Sequence, residues 1–374
     1  MDGDDINLKE ALDVAVDAAR KAGRIMWSFY QYRREDAAAK ATKMLKNSSD
    51  DKNNRNSGGA DDGDSKEERT HGVSELLGVE TKSSYSDLVT RYDKLCDETI
   101  MKTIQQYTTR VEREKHDAGF ASFHFDFITE EICPDKPLTD APTWVVDPID
   151  GTMSFVHGAC DCCVSIGLTI HRRTVLAVIY CPFISAPLAP LTSVLTPMAA
   201  PAGELYTAIR GEGAFLNGRP IRMQDDVKPK RALVNFGYPM RPCLSRAEQQ
   251  QYAADPEKGK QEKHKKMIHA AAHIRRQLTK QPVQGVRSYG ACALVLAMMA
   301  AGRIDLYMEP SGKIWDVCAG SLLVTEAGGV VKNLSGGEFG MEGMTTIIAA
   351  ANEDLCNYGV ELCNEVQYEH FWMM

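Results

Sequence analysis

The sequence lacks any hydrophobic run approaching the ~20 residues of a membrane span. Its start, Met1-Asp2-Gly3-Asp4-Asp5, is acidic where a secretory leader is basic and then apolar, so a cytoplasmic protein that meets no membrane is expected. Positive charge is short as well. Lys and Arg number 43 against 51 Asp and Glu, and the net charge of -8 speaks against a general nucleic-acid binder. Eleven cysteines in 374 residues make no dense disulfide pattern, and reduced thiols are expected. Cys160, Cys162 and Cys163 crowd together, but no His or Cys pair stands at zinc-site spacing, so they read as small core residues leading into the strand Val164-Ser165-Ile166-Gly167-Leu168. No repeat of solenoid period is present.

What is present suffices for a full core, since 44% of the residues are apolar, and the chain reads as a single unit over 1–374. Leu8, Leu12, Val16, Ala19 and Ile25 recur at helical spacing and predict an opening helix over 7–32. Residues 34–79 turn to Asp, Lys, Asn, Ser and Gly, which cannot build a core, and are expected to be a disordered insertion within an N-terminal half spanning 7–180. Five prolines mark 181–203 as a long loop. A C-terminal α/β half is expected over 204–365. Within it, 242–282 gathers eight Lys and Arg from Lys258 to Lys280 into a basic helical insertion, either an anion patch or, more simply, a solvated helix face. Further on, 291–300 reads as a buried helix, Ile304-Asp305-Leu306-Tyr307-Met308-Glu309 as a strand, and Asp316 to about Ala327 as a helix closed by Gly328-Gly329.

The densest chemistry lies in Trp144-Val145-Val146-Asp147-Pro148-Ile149-Asp150-Gly151-Thr152. An apolar strand ends in two carboxylates across a turn expected at Pro148, and these with the Ile149 carbonyl can converge as hard oxygen ligands for a cation such as magnesium. Gly151 permits close backbone approach, and Thr152 brings a hydroxyl to the start of whatever helix follows, where N–H groups favour an anion. The plain alternative is an Asp-rich turn. Two further acidic strand or helix ends, Phe127-Ile128-Thr129-Glu130-Glu131 and Ile314-Trp315-Asp316, can bring Glu130 and Asp316 to the same point, enough carboxylates for two or more divalent ions. Alone, Asp316 would serve as a helix N-cap and Glu130 as a solvated strand end, as Glu131 does.

These motifs, with Glu326-Ala327-Gly328-Gly329 after Asp316, Lys82 to Asp93 before Glu130, and Gly211-Glu212-Gly213-Ala214-Phe215-Leu216-Asn217-Gly218 between, resemble the inositol monophosphatase family over 7–33, 80–184, 204–241 and 283–365. The resemblance implies an α/β fold, a layered αβαβα sandwich, and a magnesium-dependent, lithium-sensitive phosphomonoesterase acting on a small phosphate monoester, inositol 1-phosphate. It implies that Glu130, Asp147 and the Ile149 carbonyl hold a first magnesium, and that Asp147, Asp150 and Asp316 hold a second. Thr152 would orient the attacking water, Asp93 would hold the Thr152 hydroxyl, Glu130 would help take the proton, and the amides of Gly151 and Thr152 would receive the phosphate. Lys82 would lie on a mobile loop closing over a third, weaker ion, and lithium would inhibit in place of the second magnesium. Glu309 matches the position that accepts a hydrogen bond from a ring hydroxyl, beside Asp150 and Cys292 in the substrate pocket. Taken alone, Asp93, Lys82 and Glu309 also suit a helix cap, a surface lysine and a strand end.

The chain departs from the family at Met153 and Ser154, where Thr-Asn is expected, and at Cys292, where a smaller residue is usual. The alternatives are a 3'(2'),5'-bisphosphate nucleotidase or another sugar-phosphate phosphatase on the same metal core, and a non-catalytic relative whose insertions bind a partner. Family likeness further implies a homodimer.

Overall fold

The computed structural model describes residues 6–53, 80–81, 88–120, 122–184, 203–237, 256–341 and 345–366. The first element is helix α1, Leu8–Asn53, and it runs well past the end expected at residue 32. The reason is local: residues 37–46 read Ala-Ala-Ala-Lys-Ala-Thr-Lys-Met-Leu-Lys, strong helix formers that outweigh the polar character of the stretch. The expected disorder of 34–79 is thereby overturned for 34–53, and 54–79 lie outside the described residues. The buried face of α1 also differs from the expected stripe. Ala11, Ala15, Ala18, Ala22, Met26 and Phe29 are fully buried, with Leu8, Leu12, Val16 and Ile25 flanking them half-buried. Alanines let α1 approach its neighbours closely, as does Gly23, where a Cβ would collide with the Tyr180 ring.

A short pair follows, β1 (Glu80–Thr81) with β2 (Leu88–Val89), then helix α2, Arg91–Asp117. The large sheet is built from β3 (Asp126–Thr129), β4 (Thr143–Asp150), β5 (Cys163–Ile170), β6 (Arg173–Cys181), β7 (Glu204–Ile209), β8 (Gly213–Leu216) and β9 (Arg219–Ile221), in that spatial order. The six-residue helix α3, Thr152–His157, separates β4 from β5. Only β3 and β4 run parallel in this sheet; the other neighbours are hairpin-connected or otherwise antiparallel. The β8–β9 turn uses Asn217 and Gly218 at positive φ, the pairing that suits a tight hairpin turn.

The second half supplies β10 (Leu233–Phe236), α4 (Pro256–Lys280), β11 (Gly285–Arg287), α5 (Cys292–Ala300), β12 (Leu306–Gly312), α6 (Ile314–Glu326), β13 (Val330–Lys332), β14 (Thr345–Ala350) and α7 (Glu353–Asn364). Its sheet is mixed and five-stranded, ordered β11-β10-β12-β14-β13. Strand pleating sorts its side chains: Met308 meets Cys363 of α7, and a Cβ on Gly359 of α7 would strike Ile348 and Leu306, so these residues face α7 while Tyr307 and Glu309 face the other way. Helices α5 and α6 fill the space between the sheets, packed so closely that Gly320 abuts Leu296 and Gly167 of β5 abuts Cys318. The order of layers is therefore α1 and α2, large sheet, α5 and α6, small sheet, α4 and α7: the αβαβα sandwich.

Helix α4 lies in the segment expected to be basic and helical. Ala270, Ala271, Ile274 and Leu278 bury one face of it in the main core, while Arg276 and Lys280 stay exposed, so this stretch is an amphipathic outer-layer helix rather than a wholly solvated one. Residues 242–255 of that segment, and 185–202 of the proline-rich loop, fall outside the described residues. Among the described residues all ten cysteines are free, and Cys162 and Cys163 are buried as expected while Cys160 is exposed.

Candidate active site

The site begins with an irregularity in β4. In a regular strand, residues three apart point to opposite faces, and Asp147 and Asp150 would diverge. Asp147 pairs with Ser165 and Asp150 with Cys163, three residues against two, so β4 carries a bulge that turns both carboxylates to one side. Pro148, with no N–H to give a ladder, stands within that bulge. The expected turn at Pro148 is thus a bulged continuation of the strand. Asp316 arrives from the opposite layer: α6 begins at Ile314, two residues before the expected start, and places Asp316 in its first turn rather than at its cap. The carboxylates of Asp147, Asp150 and Asp316 come within 4.8 Å of one another.

Each of the three is held in orientation by a backbone amide. Ile149 N–H donates to Asp147 Oδ1 at 3.1 Å, Ala293 N–H to Asp150 Oδ2 at 2.6 Å, and Lys313 N–H to Asp316 Oδ2 at 2.7 Å. Glu130 follows directly on β3, its amide donating to the Val146 carbonyl at 3.1 Å, and it stands beside the cluster rather than within the three-carboxylate group. Burial raises the pKa of Asp147 well above the carboxylate range, and its charged neighbours Glu130, Asp150, Asp316 and Asp93 are all acids that push it further. Burial and Asp316 do the same to Asp150. Carboxylates so placed cannot all ionise unless positive charge joins them, and an all-oxygen donor set suits a hard divalent ion.

Beside this cluster, Gly151 adopts φ +89°, and a Cβ there would lie 2.8 Å from the Asp161 carbonyl, so only glycine fits between β4 and the chain leading to β5. Thr152 then heads α3, its Oγ1 3.0 Å from Asp93 Oδ1 and 3.2 Å from the Ile149 carbonyl. Asp93 is buried in the first turn of α2, where its Oδ2 also accepts the Thr90 amide at 2.8 Å. Both expectations for Asp93 hold together: it is a helix-capping group and the partner of the Thr152 hydroxyl. Burial pushes its pKa up to about 6.

Cys292 and Glu309 sit on the α5 side. Cys292 is the first residue of α5, buried, and its thiol is pushed up by burial and by Asp316, Glu309 and Asp150. Glu309 accepts the Tyr307 hydroxyl at 3.0 Å. Lys82 lies outside the described residues. Two residues escaped the sequence reading. Asp97 on α2 holds the turn that follows Glu130, its Oδ2 accepting the amides of Glu131 at 3.2 Å and Ile132 at 3.1 Å. Tyr307 lies between Cys292 and Glu309. An i, i+2 relation within an expected strand already placed Tyr307 on the Glu309 face; nothing in the sequence pointed to the part played by Asp97.

The family model described as the inositol monophosphatase family matches residues 7–367. The chain is 35% identical over 297 residues to inositol monophosphatase 2 of Solanum lycopersicum, covering 79% of this chain and 92% of that one. Among solved structures, the extragenic suppressor protein suhB from Bartonella henselae superposes with a TM-score of 0.63 at 25% identity, over 94% of this chain and 98% of that one. SaIMPase-II, solved with inositol monophosphate bound, superposes with a TM-score of 0.53 at 21% identity over 75% of this chain and 87% of its own; the same protein has been solved with 2'AMP bound.

Proposed function

The chain belongs to the inositol monophosphatase family, and from that premise we propose that it is a magnesium-dependent phosphomonoesterase releasing phosphate from inositol 1-phosphate. Phosphatase chemistry goes with the family. The observation that carries the reading is the convergence of Asp147, Asp150 and Asp316 beside the Thr152–Asp93 hydrogen bond. The donor set suits magnesium: Glu130, Asp147 and the Ile149 carbonyl would hold one ion, and Asp147, Asp150 and Asp316 a second. When bound, such ions neutralise phosphate charge and make water a competent nucleophile near neutral pH.

The residues of the chain do the rest. Thr152 donates a hydrogen bond from its hydroxyl to Asp93, which leaves the hydroxyl oxygen to accept from the attacking water and orient it. Glu130, at the rim of the cluster, takes the proton the water loses. The amides of Gly151 and Thr152 face the phosphate, and no covalent intermediate is required, because positioning and charge stabilisation dominate phosphoryl transfer. Glu309 accepts a hydrogen bond from a ring hydroxyl, which favours a polyol phosphate. On the family resemblance, Lys82 would serve a third, weaker ion, and lithium would inhibit in place of the second magnesium. The reading includes a cytoplasmic homodimer. No described helix is long and apolar enough to cross a membrane.

A nucleotide substrate is the second reading. SaIMPase-II accommodates both an inositol phosphate and 2'AMP, and Met153 presents an exposed apolar side chain beside Thr152. The test measures phosphate release from inositol 1-phosphate and from 3'-phosphoadenosine 5'-phosphate, with and without magnesium, for wild type and Asp150→Asn. The expected result is a magnesium-dependent rate on inositol 1-phosphate that Asp150→Asn lowers at least ~100-fold. Preference for the nucleotide overturns the substrate, and no activity on either points to a non-catalytic ion- or partner-binding relative.

A further inference from the structure

Glu309 is one member of a connected series that begins at the metal ligands. The α5 amide of Ala293 donates to Asp150 Oδ2 at 2.6 Å, and the residue before it is Cys292. The Cys292 side chain lies beside Tyr307. Tyr307 in turn lies 3.0 Å from Glu309 Oε2, to which its O–H donates. Tyr307 is 1% exposed and Cys292 5%, so this link is made out of reach of bulk water. A phenol has one hydrogen. That hydrogen goes to Glu309 Oε2. β12 places Tyr307 and Glu309 on the inner face, and the bulge between Glu309 and Gly312 ends the regular pairing with β14 at Glu309.

We propose that Tyr307 is a positioning residue that fixes the Glu309 carboxylate toward a substrate hydroxyl, so that the Tyr307–Glu309 pair sets the preference for hydroxyl-bearing phosphate esters over plain ones. This rests on the phosphatase reading above and deepens it. The geometry divides the carboxylate: Oε2 is committed to Tyr307, and the orientation of the group is thereby set for a second donor. A carboxylate already held by a hydrogen bond needs less reordering when a substrate hydroxyl arrives than an unheld one.

The experiment compares kcat/KM for inositol 1-phosphate with that for phenyl phosphate, which has no hydroxyl to offer, in the magnesium-loaded full chain. Tyr307→Phe lowers the ratio of the two about tenfold, the size of one lost hydrogen bond to a charged group, with the change in KM for inositol 1-phosphate rather than in kcat. In a Glu309→Gln background Tyr307→Phe has little further effect, since the two act through one contact. Equal losses on both substrates, an unchanged ratio, or additive effects of Tyr307→Phe and Glu309→Gln would overturn the positioning role while leaving the phosphatase intact. A wild type that hydrolyses phenyl phosphate but not inositol 1-phosphate overturns the substrate reading itself, and this proposal with it.

Discussion

Asp97 shows how one buried acid reports on its surroundings. Its Oδ2 anchors the turn after Glu130, and burial pushes its pKa up to about 6 from the usual 3.8. A folded-state pKa above the unfolded one means that the folded chain holds a proton that the unfolded chain has released between about pH 4 and pH 6. Stability therefore falls as pH rises through that window, by up to about 1.4 kcal/mol per pH unit. Urea midpoints of chelator-treated protein should drop from pH 5 to pH 7, and Asp97→Asn should flatten part of that slope; an unchanged slope would show that Asp97 is already ionised. Thr152→Ala removes the acceptor for water, and kcat for phosphate release should fall by about 100-fold with little change in KM, whereas Thr152→Ser retains most of the rate. At this scale the carboxylate cluster was legible, because Asp147, Asp150 and Asp316 sit in short runs whose residue types have a joint use. Asp97 was not: what it does depends on α2 lying against the end of β3, a tertiary relation with no local pattern.

Among the elements, α6 carries more than Asp316. Its last residue, Glu326, accepts the amides of Gly211 and Gly213 through its two carboxylate oxygens, both at 2.9 Å, and so ties the middle layer to the β7–β8 turn. Glu326→Ala should cost about 1 kcal/mol, read as a lower urea midpoint, since these amides are near enough to solvent to recover water partners. The Glu326-Ala327-Gly328-Gly329 motif and the glycine hairpin were both recognised in the sequence, yet their mutual bond was not, because 113 residues separate Gly213 from Glu326. Sequence pattern located α1, α5 and α6 but missed where α1 ends and α6 begins, and it left α2 and α7 unread. α6 starts at Ile314 because the Asp316 side chain takes the Lys313 amide, and α1 continues because alanine and lysine propensity carries it on.

For the molecule as a whole, the proposed metal site would make stability conditional on cations. Magnesium should raise the thermal midpoint and chelation lower it, the shift growing with magnesium concentration as expected for a ligand that binds only the folded chain; Asp150→Asn should blunt the response. The layer order was legible through resemblance, not through hydrophobic pattern, since pattern identifies strands and helices without saying which sheet each joins. Here β3 and β4 begin one sheet, α6 belongs to the layer beneath it, and the site lies where they meet.

That meeting has a kinetic consequence. The carboxylates come from β4 in the large sheet and from α6, which closes against it only when the second half of the chain has been laid down. A transition state that forms before α6 docks has no completed coordination shell to offer. In stopped-flow experiments, magnesium should therefore slow unfolding and leave the refolding rate nearly unchanged, so that the cation acts as a latch on the finished molecule and not as a template for making it.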